Sequence, residues 1–330
     1  MNQRVGYSKE ISASYGTQSM PNFRAQLKRG VFAGVKKGWS SFVWMCKIII
    51  PVSFLVALLH WTGWMNQLDF LLNPLTSLIN LPPEAALPIV IGMLINIYAV
   101  IAIITVIPFT LEQMTLIAIF NLIAHSLILE GTIQHKSGLN VVKATLFRIT
   151  VAILTVLLVS QFLGDTSQSV VVPAYLTVQN PLPEVLKVWV VDTIGLLLKI
   201  LGIIMLIMIL LESSKSLGWT EYALKFFRPL MRILGLSERI VMMWVTAIVF
   251  GLLYGGAVIV EEAKKGTLTR EELEYLHISI GTNHSMLEDP ALFAVLGVNI
   301  FWLWIPRFIM AVLAVQTYRS LKYLKNKLLH

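Results

Sequence analysis

The sequence predicts an all-α integral membrane protein made of two inverted-topology repeats, with about six transmembrane helices, two re-entrant broken hairpins and two amphipathic arm helices. Three observations carry this. The 330-residue chain is 56% hydrophobic and 13% charged, against roughly a quarter charged in soluble domains, and its mean hydropathy is +0.75. Several apolar windows approach or exceed the roughly 20 residues of helix that cross about 30 Å of hydrocarbon. Finally, the sequence repeats itself, in polar as well as apolar residues.

The elements follow in order. Residues 1–38 are polar and basic (Arg24, Lys28, Arg29, Lys36, Lys37), with no apolar core of a signal peptide, and are expected to form a cytoplasmic leader. The expected spans are residues 39–60, 85–109, 144–163, 188–211, 240–260 and 301–317. Backbone groups in lipid need internal partners, and the runs lack the alternation of barrel strands, so the spans are helices. Cys46, the single cysteine, has no disulfide partner and is expected to pack in the first span. Residues 39–163 form the first repeat, 164–187 a turn-rich linker, 188–320 the second repeat and 321–330 a basic cytoplasmic tail.

A shift of 159 aligns residues 110–148 with 269–307 without a gap: Thr110 with Thr269, His125-Ser126 with His284-Ser285, Glu130 with Asp289, Gly138 and Asn140 with Gly297 and Asn299, and Arg148 with Arg307. Upstream, a shift of 155 pairs Gly63-Trp64 with Gly218-Trp219 and Leu81 with Leu236. The first arm, residues 61–83, holds no lysine or arginine; the second, residues 213–239, holds Lys215, Lys225, Arg228, Arg232 and Arg239. The positive-inside rule therefore puts equivalent arms on opposite sides, and the halves are inverted. Inversion needs an odd number of crossings per half, which follows if residues 111–140 and 270–299 enter and return on one side as broken hairpins. Both termini then lie in the cytoplasm.

The polar residues of these two elements are the candidate site. Pro290 after Asp289, with Gly281 and Asn283, is poor company for a continuous helix, and freed backbone groups at membrane depth are tolerated only against protein or a water-filled cavity. Ionisable groups there cost about 2.5–3.5 kcal/mol each and need a partner. Mutual pairing is one reading: His284 with Glu288 at i,i+4 spacing, and His125 with Glu130 across the break. Binding of a permeating solute or ion is the other, and a shallow, wet position at the interface is a third. The binding set is His125, Ser126, Glu130, His284, Ser285, Glu288 and Asp289, with Asn121, Asn283, Asn140 and Asn299 as polar supports or helix caps. A weaker metal reading takes His125, Glu130, His284, Glu288 and Asp289 as a mixed N/O set for a divalent ion. Arg148 and Arg307 are read as snorkelling or bonding hairpin carbonyls. Residues 261–277 are read as a solvated loop and helix start, and Lys187, Asp192 and Lys199 as facing the protein interior.

With no phosphate loop, H-E-x-x-H or G-x-S-x-G, the chain is not expected to be an enzyme, and no cofactor is expected. The net charge of +8 clusters beside the apolar runs, which points to topology control and anionic lipid rather than nucleic acid. The two-fold repeat over residues 41–320, the paired Gly-Trp-plus-arm units and the paired "HSLILEG" and "HSMLEDP" elements resemble the Gate, or nucleoside recognition, domain family. That family includes spore maturation membrane proteins, the membrane part of Feo-type ferrous iron transporters and, in related form, concentrative nucleoside transporters. The resemblance implies an inverted-repeat transporter or pore with re-entrant hairpins, assembling as a homo-oligomer. The expectation is an inner-membrane transporter of a small polar solute or ion, independent of ATP hydrolysis by this chain. A divalent metal transporter and a non-transporting scaffold recruiting a partner through residues 215–239 are the alternatives.

Overall fold

The computed structural model describes residues 23–64, 76–167 and 181–328, and all of its regular elements there are helical. The start of the leader, residues 65–75 of the first arm and much of the linker lie outside the described residues. Among the described residues, five elements are long and apolar enough to cross a membrane: Phe23–Trp61, Leu111–Lys136, Val141–Ser160, Leu182–Ser216 and Ile300–Leu328.

Helix α1 (Phe23–Trp61) shows no boundary at residue 38; the basic end of the leader continues the first span as one helix. It packs antiparallel against α7 (Leu182–Ser216), because Gly30, Gly34 and Gly38 let the backbones meet. A Cβ at Gly30 would lie 2.5 Å from Ser213 Cα, one at Gly34 2.5 Å from Ile209 Cα, and one at Gly38 2.8 Å from Met205 Sδ. Trp189 Nε1 donates to Ser53 Oγ at 3.2 Å near the other end. The Gly-Trp pair after α1 and the one after α7 therefore lie at opposite ends of the pair. Lys187, Asp192 and Lys199 on α7 point outward, exposed, rather than inward as the sequence suggested.

The expected second and fifth spans fold back on themselves. Between α2 (Ala86–Leu94) and α3 (Ile97–Ile104), the Asn96 side chain accepts from the Tyr98 and Ala99 amides and starts a new helix. A Cβ at Gly92 would sit 2.5 Å from Val100 Cγ2, a contact that a straight helix separates by two turns. In α9 (Val241–Lys264), Gly251 adopts φ 77° and ψ 174°, a region essentially restricted to glycine, and a Cβ at Gly255 would lie 2.6 Å from Ala247 Cα. Asn96 and Gly251 are 155 residues apart, the upstream repeat shift.

The two histidine elements, expected to turn back, instead run straight on. Helices α4 (Leu111–Ala124) and α5 (Leu127–Lys136) lie antiparallel along α6 (Val141–Ser160) over their whole length. Gln113 Nε2 donates to Thr166 O beyond the end of α6, Arg148 reaches the break, and Gly131 faces Val141 at its start. Likewise α10 (Arg270–Asn283) and α11 (Glu288–Ala294) follow α12 (Ile300–Leu328): Glu274 accepts from Tyr318 and Lys322, and Arg307 reaches the break. Folded-back and straight segments have exchanged places relative to the sequence expectation, because hydropathy measures burial in an apolar medium and not the direction of the chain. The second arm is α8 (Thr220–Leu234), closed by left-handed Gly235, with Lys225 and Arg228 exposed.

Candidate functional site

Both histidines end a helix whose start is set by a capping box, Thr110 with Gln113 in α4 and Thr269 with Glu272 in α10. Each histidine is extended (His125 φ −83°, ψ 166°; His284 φ −73°, ψ 168°) and is followed by a left-handed serine, Ser126 at φ 47° and Ser285 at φ 48°. Left-handed backbone costs a side-chain-bearing residue about 1–2 kcal/mol. The hairpin tips hold it there. Ser126 N–H donates to Gly92 O at 2.9 Å and its hydroxyl to Ile95 O at 3.0 Å; Ser285 N–H donates to Ala247 O at 3.1 Å and Met286 N–H to Ile248 O at 2.7 Å. Ser126 and Ser285 thus anchor the breaks.

Guanidinium groups take up the freed carbonyls. Arg148 donates from Nε to Ile123 O at 2.7 Å and from Nη2 to His125 O at 2.9 Å. Arg307 does the same to Thr282 O at 3.2 Å and His284 O at 2.7 Å, and adds Leu122 O at 3.1 Å. Both arginines are 1% exposed or less, so the carbonyl-bonding role holds and snorkelling does not.

His125 Nδ1 lies 2.8 Å from Asn121 O, and His284 Nδ1 lies 2.8 Å from Ile280 O. A carbonyl only accepts, so Nδ1 carries the proton in both rings and each neutral imidazole keeps its lone pair on Nε2. The two Nε2 atoms face the same oxygen, Glu130 Oε1, at 3.4 Å and 3.3 Å. Arg148 Nη1 holds the other oxygen of Glu130 at 2.6 Å, and Asp289 Oδ2 lies 3.8 Å from His125 Nε2. The rings are 5.1 Å apart between centroids, and one ligand atom each from His125, Glu130 and His284 falls within 4.8 Å of the others. Without a proton or metal ion between them, these lone pairs would repel. Tetrahedral ligands at bond lengths of about 2.0–2.1 Å stand about 3.3–3.4 Å apart, which matches both histidine distances to Glu130.

The remaining predicted residues divide. Glu288 does not pair with His284; it accepts from Tyr98 OH at 3.0 Å on the first hairpin. Asn121 is buried, donating to Ile117 O at 2.9 Å, with Oδ1 unpartnered among the described residues and lying against Gly92, where no Cβ would fit. Asn283 is buried, its Oδ1 likewise unpartnered among the described residues. Asn140 and Asn299 are helix caps outside the cluster, accepting from Lys143 N–H at 3.1 Å and Phe301 N–H at 2.9 Å. Sequence reasoning missed Tyr98, Gln134, Ser137 and His277, the last of which is 1% exposed at the end of a segment read as solvated. Their signal was spacing: Gln134 and Ser137 follow Glu130 by four and seven residues, and His277 precedes His284 by seven.

No family model matches this chain, and no solved structure matches it. The chain is similar to the uncharacterized membrane protein YvoD of Bacillus subtilis (strain 168), 26% identical over 291 residues, covering 87% of this chain and 93% of that protein. With its apolar helices, this makes the chain a membrane protein with a buried histidine and glutamate cluster.

Proposed function

We propose that this chain is a membrane transport protein that holds a small cation, a proton or a divalent metal ion, between His125, His284 and Glu130. The observation that carries the proposal is the convergence of two imidazole lone pairs on one carboxylate oxygen, at the point where two broken helices meet. Broken helices pairing with re-entrant tips near the midplane are the design of inverted-repeat transporters. Inversion is supported by the antiparallel α1 and α7, by tip bonds related by the repeat shift (Gly92 and Ala247), and by the equivalent reach of Arg148 and Arg307. Each half then has three crossings and one hairpin. The basic face, with both termini, is cytoplasmic.

The buried carboxylate of Glu130 is paired with Arg148 on one oxygen, and the two imidazole lone pairs that converge on its other oxygen are what a bound cation would satisfy. Imidazoles 5.1 Å apart leave room for an ion and not for an organic molecule, so an organic permeant would bind beside the cluster and be coupled to it.

The test is thermal unfolding of the solubilised chain with Zn²⁺ or Mn²⁺. An ion at about 100 times its dissociation constant adds roughly 2.7 kcal/mol, and His125→Ala/His284→Ala abolishes the gain while keeping a sharp transition. For a proton, the stability profile across about pH 5–8 differs between the native chain and that variant. No ion response together with superimposable pH profiles overturns the proposal and leaves the scaffold reading, tested by neutralising Arg228 and Arg232.

A further inference from the structure

We infer that the cluster is reached from one face of the membrane only, the basic one, along a polar ladder that ends in a water-filled vestibule. This rests on the cation-binding reading of the cluster. On α5 and its cap, Glu130, Gln134 and Ser137 share one face at i, i+4 and i+7; on α10, His277, Gly281 and His284 do the same. The stripes run antiparallel and meet rung by rung. His284 Nε2 lies 3.3 Å from Glu130 Oε1, a Cβ at Gly281 would lie 3.8 Å from Gln134 Nε2, and His277 Nε2 lies 2.7 Å from Ser137 Oγ.

The last rung defines the chemistry. Ser137 Oγ lies 2.9 Å from Gln134 O and 2.7 Å from His277 Nε2, either donating to the carbonyl and accepting from Nε2–H or donating to Nε2. In both cases His277 Nδ1 is buried and has no hydrogen-bond partner among the described residues. An orphaned buried ring nitrogen beside a cavity with polar groups in its wall calls for a water or another hydrogen-bonding partner. The cavity is there: about 170 Å³, lined among others by Gln134, Asn140, Lys143, Glu274, His277 and Tyr318. Its lining residue Glu274 accepts from Tyr318 and Lys322 of α12, and Gln316 on the same helix donates from Nε2 to Ile233 O of the basic arm, so the ladder leads toward the positively charged face.

The repeat supplies the comparison. Shifting each rung by 159 gives Asp289, Phe293 and Leu296 on one strand of the ladder and Ala118, Leu122 and His125 on the other. His125 and Asp289 keep the central rung at 3.8 Å. Beyond it the counterparts of Gln134, Gly281 and His277 are Phe293, Leu122 and Ala118, all buried in the apolar core, with Leu296 packed against it. One half-path is lined by hydrogen-bonding groups and the other is filled with hydrocarbon, which offers an ion nothing in exchange for its hydration.

Because Cys46 is the only cysteine, a Cys46→Ser background makes the test direct. Gln134→Cys and Ala144→Cys place thiols in the vestibule; their repeat counterparts, Phe293→Cys and Leu303→Cys, place them in the opposite half. Ag⁺ is added to one or the other face of sealed vesicles, and the surviving thiols are counted with a fluorescent maleimide after denaturation. The expected result is loss of the vestibule thiols only when Ag⁺ is on the cytoplasmic face, with Phe293→Cys and Leu303→Cys protected from both. Protection of both vestibule thiols, or equal loss in the opposite half, overturns the inference. Ala144→Cys changes little more than one sulfur atom and keeps the test alive if Gln134→Cys does not fold. Thiol loss without an ion response of the native chain would remove the cation reading and leave the access path; an ion response without thiol loss would do the reverse.

Discussion

At the scale of single residues, the site depends on how one guanidinium divides its donors. Arg148 is 1% exposed and serves two carbonyls and Glu130 together. Arg148→Ala leaves a carboxylate buried without its partner, and the expected loss is about 3–5 kcal/mol of unfolding free energy, read by thermal denaturation in detergent. Arg148→Lys is expected to recover little of it, since a point charge cannot pair with Glu130 and donate along a fixed fork to two carbonyls as well. His125, His284 and Glu130 were legible because their duplication cannot be produced by apolar composition. The pairing of His284 was not. An i,i+4 partner such as Glu288 requires a continuous helix, but the helix ends at Asn283, and extended His284 with left-handed Ser285 turns Glu288 toward Tyr98. Asn140 and Asn299 read equally well as ligands and as caps, and only their positions outside the breaks separate the two.

Between elements, the close contact is the glycine face of α1 on α7. Gly34→Leu would drive a side chain into the Ile209 backbone, and we expect a loss of about 1–3 kcal/mol in thermal unfolding. Gly195→Ala on the outer face of α7, with nothing within 4 Å, is the control and is expected to be neutral or slightly stabilising. The exchange of folded-back and straight segments belongs to this scale as well. Residues 85–109 and 240–260 are apolar enough to span, yet a single Asn96 and a single Gly251 reverse them. Residues 111–140 carry enough polar groups to suggest a turn, yet Arg148 and the tip contacts of Ser126 satisfy the break without changing the direction of the chain.

For the whole molecule, the defining prediction is that Trp64→Cys and Trp219→Cys, both exposed in the native chain, react with an impermeant thiol reagent from opposite faces of the membrane. Labelling of both from one face would end the inverted-repeat reading. Composition sufficed for a helical membrane protein, and self-similarity picked out the two histidines that the structure brings together, because burial preference and duplication are written residue by residue. What the tertiary structure alone decided is which segments run straight and which fold back, which carboxylate the imidazoles share, and which side chains line either side of it. Those depend on backbone direction at three or four positions and on side chains brought together from repeats more than a hundred residues apart, and hydropathy carries neither.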